Sequence, residues 1–155
     1  DKSNLVLKAL DLFRSKTGIS QFFKVYLDKN VPAQAGLGGG SANAATAMFA
    51  ANELTGSPAS MKDLELWSAD IGSDITFFFS CGSCYCTGRG EILDPVDPIP
   101  TYPVYLVKPS EGLPTPLVFK NLNLEENSKE DPLQVLETFK GDLFKANYIN
   151  DLEKP

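Results

Sequence analysis

The sequence predicts an α+β sandwich. Segments with apolar residues at helical spacing alternate with short β-type runs and a hairpin signal, and no regular strand-helix-strand repeat is present. At 155 residues, with 43% hydrophobic and 22% charged side chains, the chain carries enough apolar surface for a sizeable core.

Residues 3–14 open the chain as an amphipathic helix, with Leu5, Val6, Ala9, Leu10, Leu12 and Phe13 at helical spacing and Asp1 or Ser3 as its cap. Phe22 to Leu27 reads as a strand, and Asp28-Lys29-Asn30 as the turn that follows it. A second helix is expected from about Ser41 to Leu54, and Gly56 ends it. Its alanines, Ala42, Ala44, Ala45, Ala47, Ala50 and Ala51, would let it approach a sheet closely. Ser60 and Asp63 form a capping box for a third helix through Leu64, Leu66, Trp67 and Ala69, with Trp67 as a core anchor. Ile71 to Phe79 reads as a turn carrying an acid, Asp74, followed by an apolar run. Gly82 to Leu93 predicts a hairpin turning near Gly88-Arg89-Gly90. Pro95, Pro98, Pro100 and Pro103 stiffen the path into a strand at Val104 to Val107. Thr115-Pro116 and Asp131-Pro132 each start a helix, the first holding Leu117, Val118 and Phe119 and the second Leu133, Leu136 and Phe139.

Composition removes several function classes. With a net charge of −6 and 14 scattered Lys and Arg residues, no basic patch is formed for a phosphate backbone, so no nucleic-acid partner is expected. No apolar stretch is long enough to span a bilayer, and residues 1–20 lack the pattern of a secretion signal, so no membrane association is expected. The absence of histidine excludes Ser-His-Asp and Cys-His nucleophiles and His-containing metal sites. Cys81, Cys84 and Cys86 lack a fourth thiolate for zinc, and Cys84 to Thr87 alternates like a half-buried strand. They are expected to be small buried or half-buried thiols in a reducing compartment. The first residue is Asp rather than Met, which fits a chain processed, trimmed or cut from something longer.

The strongest chemical signal runs from Val31 to Ala47, where Gly36-Leu37-Gly38-Gly39-Gly40 leads into the alanine-rich helix. Glycines allow close backbone approach and positive φ, and the first N–H groups of a helix point at whatever sits before them. A Walker loop is excluded, because Lys is absent from Val31 through Asn52. A dinucleotide fingerprint over Gly36, Gly38 and Ser41 would need an acid closing a second strand, and the candidate, Asp63, falls in a helix. On these residues alone, a nucleotide-phosphate cradle and a bare tight turn both stand.

The wider context resembles a known superfamily. Pro32-x-x-x-Gly36-Leu37-Gly38-Gly39-Gly40-Ser41-Ala42-Asn43-Ala44-Ala45 is similar to the ATP-binding second motif of the kinases that include galactokinase, homoserine kinase and mevalonate kinase. Within it, the chain most resembles the 4-diphosphocytidyl-2-C-methyl-D-erythritol kinase family. Ile71 to Phe79 together with Tyr85 to Glu91 resembles that family's stretch around its catalytic aspartate, in the wording of plant and algal plastid members. Pro114 to Phe119 and Asn150 to Glu153 resemble later segments, so the likeness covers nearly the whole chain in order.

This resemblance implies ATP and Mg²⁺ as cofactors and a small-molecule substrate, cytidine diphosphate-linked methylerythritol, phosphorylated on its 2-hydroxyl in non-mevalonate isoprenoid biosynthesis; the alternatives are another small-molecule kinase of the superfamily, of the mevalonate or homoserine kinase type, or a non-catalytic nucleotide-binding fragment. Pro32, Ala33, Gln34, Ala35, Gly36, Leu37, Gly38, Gly39, Gly40, Ser41 and Ala42 would wrap the ATP phosphates. Ser41 would meet Mg²⁺ or, alternatively, cap the helix. Asp74 would be the catalytic acid that contacts the acceptor hydroxyl and takes its proton; the alternative is a turn or cap residue. Phe119 would stack on cytosine with Thr115 nearby, or else be a core Phe.

The implied fold is a partial two-layer sandwich of the ribosomal-protein-S5-domain-2-like type, with a left-handed βαβ crossover, in residues 1–103. Part of a ferredoxin-like C-terminal lobe would follow in residues 104–155. The family's catalytic lysine and third glycine-rich motif find no match, so the expectation is the central part of a kinase with little activity of its own. Gln34, Ala35 and Thr76 depart from the family's usual residues. Plastid location is implied for a plant or algal source and cytoplasmic location otherwise. Nothing in the sequence sets an oligomeric state.

Overall fold

Helix α1 (Leu5–Thr17) and helix α2 (Gly39–Leu54) pack face to face. This computed structural model describes residues 3–31, 36–98, 100–107, 109, 112 and 115–153. Val6, Ala9, Leu10 and Phe13 of α1 and Ala44, Ala45, Met48 and Ala51 of α2 are all buried. Alanines let the two backbones approach, and Phe13 and Met48, both fully buried, fill the space between. Burial of each large side chain contributes about 1.5–3 kcal/mol. The alanine face expected to meet a sheet therefore meets a helix.

Each helix is bounded by local chemistry. The α1 cap is Asn4, whose side chain accepts from the Val6 N–H at 2.9 Å, rather than Ser3; Asp1 lies outside the described residues. Asn caps as well as Ser and stands directly before the first apolar residue. Gly18, at φ 74°, ends the helix and donates to the Arg14 carbonyl at 2.9 Å. Helix α2 starts two residues before the expected Ser41, with Gly38 at its cap, because successive glycines accept helical as readily as left-handed backbone. Helix α3 (Met61–Ser68) has the predicted capping box: Asp63 N–H donates to Ser60 Oγ at 3.2 Å and Ser60 N–H to Asp63 Oδ2 at 2.9 Å. Leu64 and Ser68 are its buried residues, while Trp67 is only partly buried against the core.

Helix α4 (Ser73–Phe77) is a single turn whose Ile75 is fully buried in the same core. The hairpin of β1 (Cys84–Thr87) and β2 (Ile92–Pro95) follows as predicted, antiparallel, with Cys84 opposite Pro95 and Thr87 opposite Ile92. Its burial does not alternate: Cys84 and Tyr85 are half-buried and Cys86 and Thr87 exposed, as is Cys81. A two-stranded ribbon has no covered face long enough to impose alternation.

Phe22 to Leu27 forms no strand. Among the described residues the β1–β2 ribbon is the sheet, and a strand without a hydrogen-bonded neighbour is only extended chain. Phe23 and Leu27 still lean on the core, with the Phe13 and Phe23 rings edge to face at 6.5 Å, while Tyr26 is 91% exposed. The Arg14 guanidinium lies 3.8 Å over the Phe22 ring.

The chain divides by internal contacts into Asp1–Pro98 and Ile99–Pro155. In the second unit, Val104 to Val107 is not a strand either, for the same lack of a partner, and Tyr105 is 96% exposed. Helices α5 (Thr115–Asn121) and α6 (Pro132–Gly141) form where the Thr-Pro and Asp-Pro pairs predicted them. Asp131 caps α6 by accepting from the Leu133 N–H at 3.0 Å. Phe139 packs edge to face on Tyr148 at 5.0 Å, and Asp151 Oδ1 accepts from the Ser128 N–H at 3.0 Å.

Candidate active site

The glycine loop and the start of α2 line a cavity of about 460 Å³. Gly36 and Gly38 are in the left-handed region, at φ 69° and 64°, a conformation that glycine accepts without strain. The first bond of α2 runs from the Ala42 N–H to the Gly38 carbonyl at 2.8 Å. The N–H groups of Gly39, Gly40 and Ser41 thus have no carbonyl within the helix, and they stand at its positive end. Among the described residues no side chain caps α2, so Ser41 is not its cap; it occupies the third helical position and lines the cavity. Pro32, Ala33, Gln34 and Ala35 lie outside the described residues.

Sequence reasoning missed part of this wall. Asp28, Lys29 and Asn30, read only as a turn, line the same cavity, as do Leu5 and Asn43. Their signal was positional: a charged pair directly before a phosphate-type loop. Lys29 supplies a cation to an otherwise acidic chain at the one place where an anion is expected. Among the described residues no cluster of three or more His, Cys, Asp or Glu could hold a metal ion. Asp28 and Ser41 are nevertheless hard oxygen donors on the cavity wall.

Asp74 sits in the first turn of α4, exposed, with Gly72 as the cap residue. The cap reading of Asp74 therefore does not hold. Among the described residues no protein donor occupies its carboxylate. The hairpin turn lies beside it: a Cβ placed on Gly90 would be 4.0 Å from Asp74 Oδ1. Its charge reaches the neighbouring strand as well, where the Cys86 thiol, on a residue exposed overall, is held above its ordinary range first by the slight burial of its sulfur, then by Cys84 and Asp74. Asp74 does not line the loop cavity itself, but α4 packs on α2, and Phe78 at the end of α4 touches the loop at Gly38. Phe119, on α5, is 56% exposed and so is not a core residue. Thr115 opens α5, and its side chain lies outside the described residues.

A glycine loop whose first N–H groups stand at a helix N-terminus is suited to hold an anion. Residues 4–82 match the family described as GHMP kinases N terminal domain, and the chain belongs to that family. Over its full length it is 53% identical to the chloroplastic 4-diphosphocytidyl-2-C-methyl-D-erythritol kinase of Oryza sativa subsp. japonica, covering 39% of that protein. It is 51% identical over its full length to the chloroplastic enzyme of that name from Arabidopsis thaliana, covering 41% of it. With the Protochlamydia amoebophila kinase of the same name it shares 46% identity, over 99% of this chain and 51% of that one. A crystal structure of 4-(cytidine 5'-diphospho)-2C-methyl-D-erythritol kinase superposes on 98% of the chain and 55% of the solved one, with a TM-score of 0.71 and 28% identity. The chain thus spans from 39% to about half of the length of these relatives.

Proposed function

We propose that the chain carries the ATP cradle and the catalytic aspartate of a kinase that phosphorylates the 2-hydroxyl of 4-diphosphocytidyl-2-C-methyl-D-erythritol, in non-mevalonate isoprenoid biosynthesis. The observation that supports this most is 53% identity across every residue of the chain, glycine loop and Asp74 segment included, to a kinase of that name. In this reading, the described glycine-loop N–H groups and Lys29 bind the phosphates of ATP. Asp74 orients the acceptor hydroxyl and accepts its proton while the acceptor oxygen bonds to the γ-phosphorus and the bond to the β–γ bridging oxygen breaks, leaving ADP. Most of the acceleration comes from alignment and charge placement, since phosphoryl transfer passes through a loose transition state.

Mg²⁺ fits the oxygen donors on the wall, with Asp28 and Ser41 as the residues that would hold it. Bound there, it would neutralise charge on the phosphates, and one or two protein oxygens suffice because phosphates and water complete its shell. Phe119 offers an exposed ring for stacking on cytosine, with Thr115 beginning the same helix. Residues 1–103 would form the ATP-binding domain, a partial S5-domain-2-like sandwich, and residues 104–155 the start of a ferredoxin-like substrate lobe. Plastid location follows from the chloroplastic relatives if the source is a plant or alga.

The test is a substrate panel with Mg-ATP and the protein in its longest natural form, comparing the cytidine diphosphate-linked acceptor with mevalonate and homoserine. Transfer to the first alone, with a loss of at least about 100-fold in kcat on Asp74→Asn, is expected. Transfer to mevalonate or homoserine, or retained turnover in that variant, overturns the reading.

A further inference from the structure

Two parts of the candidate site sit on separate elements, and one side chain joins them. Asp74 lies near the start of α4, and Phe78 follows one helical turn later, at the same helix's end. The Phe78 ring rests against the glycine loop so closely that a Cβ on Gly38 would stand 2.9 Å from its Cζ and 3.3 Å from its Cε2. Gly38 is the cap of α2, the residue at which the loop becomes a helix and its free N–H groups begin. The Phe77 ring meets Phe78 edge to face at 5.6 Å and limits its swing. With Ala45, Thr46, Phe49, Met61 and Phe79, Phe78 also lines an open pocket of about 280 Å³, so the ring is not enclosed on every side by a filled core.

We propose that Phe78 is a positioning residue: its ring is the spacer that sets how far the Asp74 carboxylate stands from the phosphate cradle. The inference rests on the kinase reading above. In-line transfer requires the acceptor oxygen near 3–3.5 Å from the phosphorus, and a displacement of about 1 Å can lower turnover about 100-fold. Ordinary packing would explain a buried Phe; Phe78 is instead 39% exposed, and its ring fills the space that a Cβ on Gly38 would need. Shortening the ring lets α4 and the loop shift relative to one another while each remains folded on its own hydrogen bonds. Binding of either substrate needs only one of the two parts, whereas transfer needs both in register.

Steady-state kinetics on the protein in its longest natural form test this, with the cytidine diphosphate-linked acceptor, Mg-ATP, and circular dichroism to score folding. Phe78→Ala is expected to lower kcat at least about tenfold, with both KM values within about threefold of wild type. Phe78→Leu, which keeps most of the bulk, is expected to recover most of that kcat. A folded Phe78→Ala protein with undiminished kcat overturns the proposal, as does a loss confined to KM. If Phe78→Ala fails to fold, Phe78→Leu decides by the same split between kcat and KM. Wild-type protein without turnover on this acceptor overturns the kinase reading and the spacer with it; wild-type turnover beside an unaffected variant overturns the spacer alone.

Discussion

The side-chain amide of Asn52 brackets the peptide of Ala59: its Nδ2 donates to the Ala59 carbonyl at 3.0 Å, and its Oδ1 accepts from the Ala59 N–H at 3.0 Å. Asn52 is 2% exposed, so both bonds form out of reach of water. They tie the α2–α3 connection to the end of α2 and so place α3, whose Leu64 closes the core. Asn52→Leu keeps the volume but leaves two buried backbone groups unmet, at about 1–3 kcal/mol each. Urea unfolding should therefore show a loss of about 3 kcal/mol. A midpoint equal to wild type would show that water reaches the Ala59 peptide and that the bracket is dispensable.

The loop glycines should differ sharply in tolerance. Gly38→Ala puts a Cβ 2.9 Å from Phe78 and forces a non-glycine residue to φ 64°, a left-handed conformation that costs about 1–2 kcal/mol. Gly40→Ala meets nothing nearer than Leu5 Cδ1 at 3.5 Å and sits in helical backbone, where alanine is favoured by up to about 1 kcal/mol. Thermal melts should place Gly38→Ala below wild type and Gly40→Ala level with it or above. Equal melting points for the two would mean that the loop relaxes freely around Phe78.

Local chemistry was legible in the sequence, and tertiary partnership was not. The Ser60 and Asp63 box, the Asp131-Pro132 start and the hairpin at Gly88 to Gly90 each depend on residues within a few positions, and each formed as read. Phe22 to Leu27 and Val104 to Val107 have the composition of strands, but a strand needs a neighbour that a local pattern does not supply. At the loop, the glycines announced the left-handed backbone of Gly36 and Gly38, because positive φ is written in residue type. Lys29 was read as a turn because only the fold turns it toward the cavity, and the contact of Phe78 with Gly38, forty residues apart, carries no sequence signature at all.

Asp63 gives the capping box a pH dependence. The Ser60 hydroxyl first, and the Ser60 N–H after it, hold the Asp63 carboxyl below its ordinary range. The folded protein therefore binds this proton more weakly than the unfolded chain does. The stabilisation is fully present above the unfolded value, about pH 4, and is lost as pH falls through the lower folded value. Asp63→Asn should melt below wild type at pH 7, and the gap should close on acidification below about pH 4. A gap that persists undiminished at the acid end would assign the effect to hydrogen-bond geometry rather than to charge.

Cys86 reports on Asp74 without any need for turnover. Partial burial of the thiol raises its pKa most, followed by Cys84 and then by the carboxylate of Asp74. Alkylation proceeds through the thiolate, so each of these slows it at a given pH. Asp74→Asn removes only the last and smallest of the three, and Cys86 should then react with iodoacetamide faster at pH 8. Cys81 is exposed on the segment between α4 and β1 and serves as the internal reference in the same peptide digest. A selective rise at Cys86 places the Asp74 charge against the hairpin, on the side where a Cβ on Gly90 would stand 4.0 Å from Asp74 Oδ1. An unchanged Cys86 rate, or an equal rise at Cys81, would instead put that carboxylate away from β1, and with it the acid end of the site.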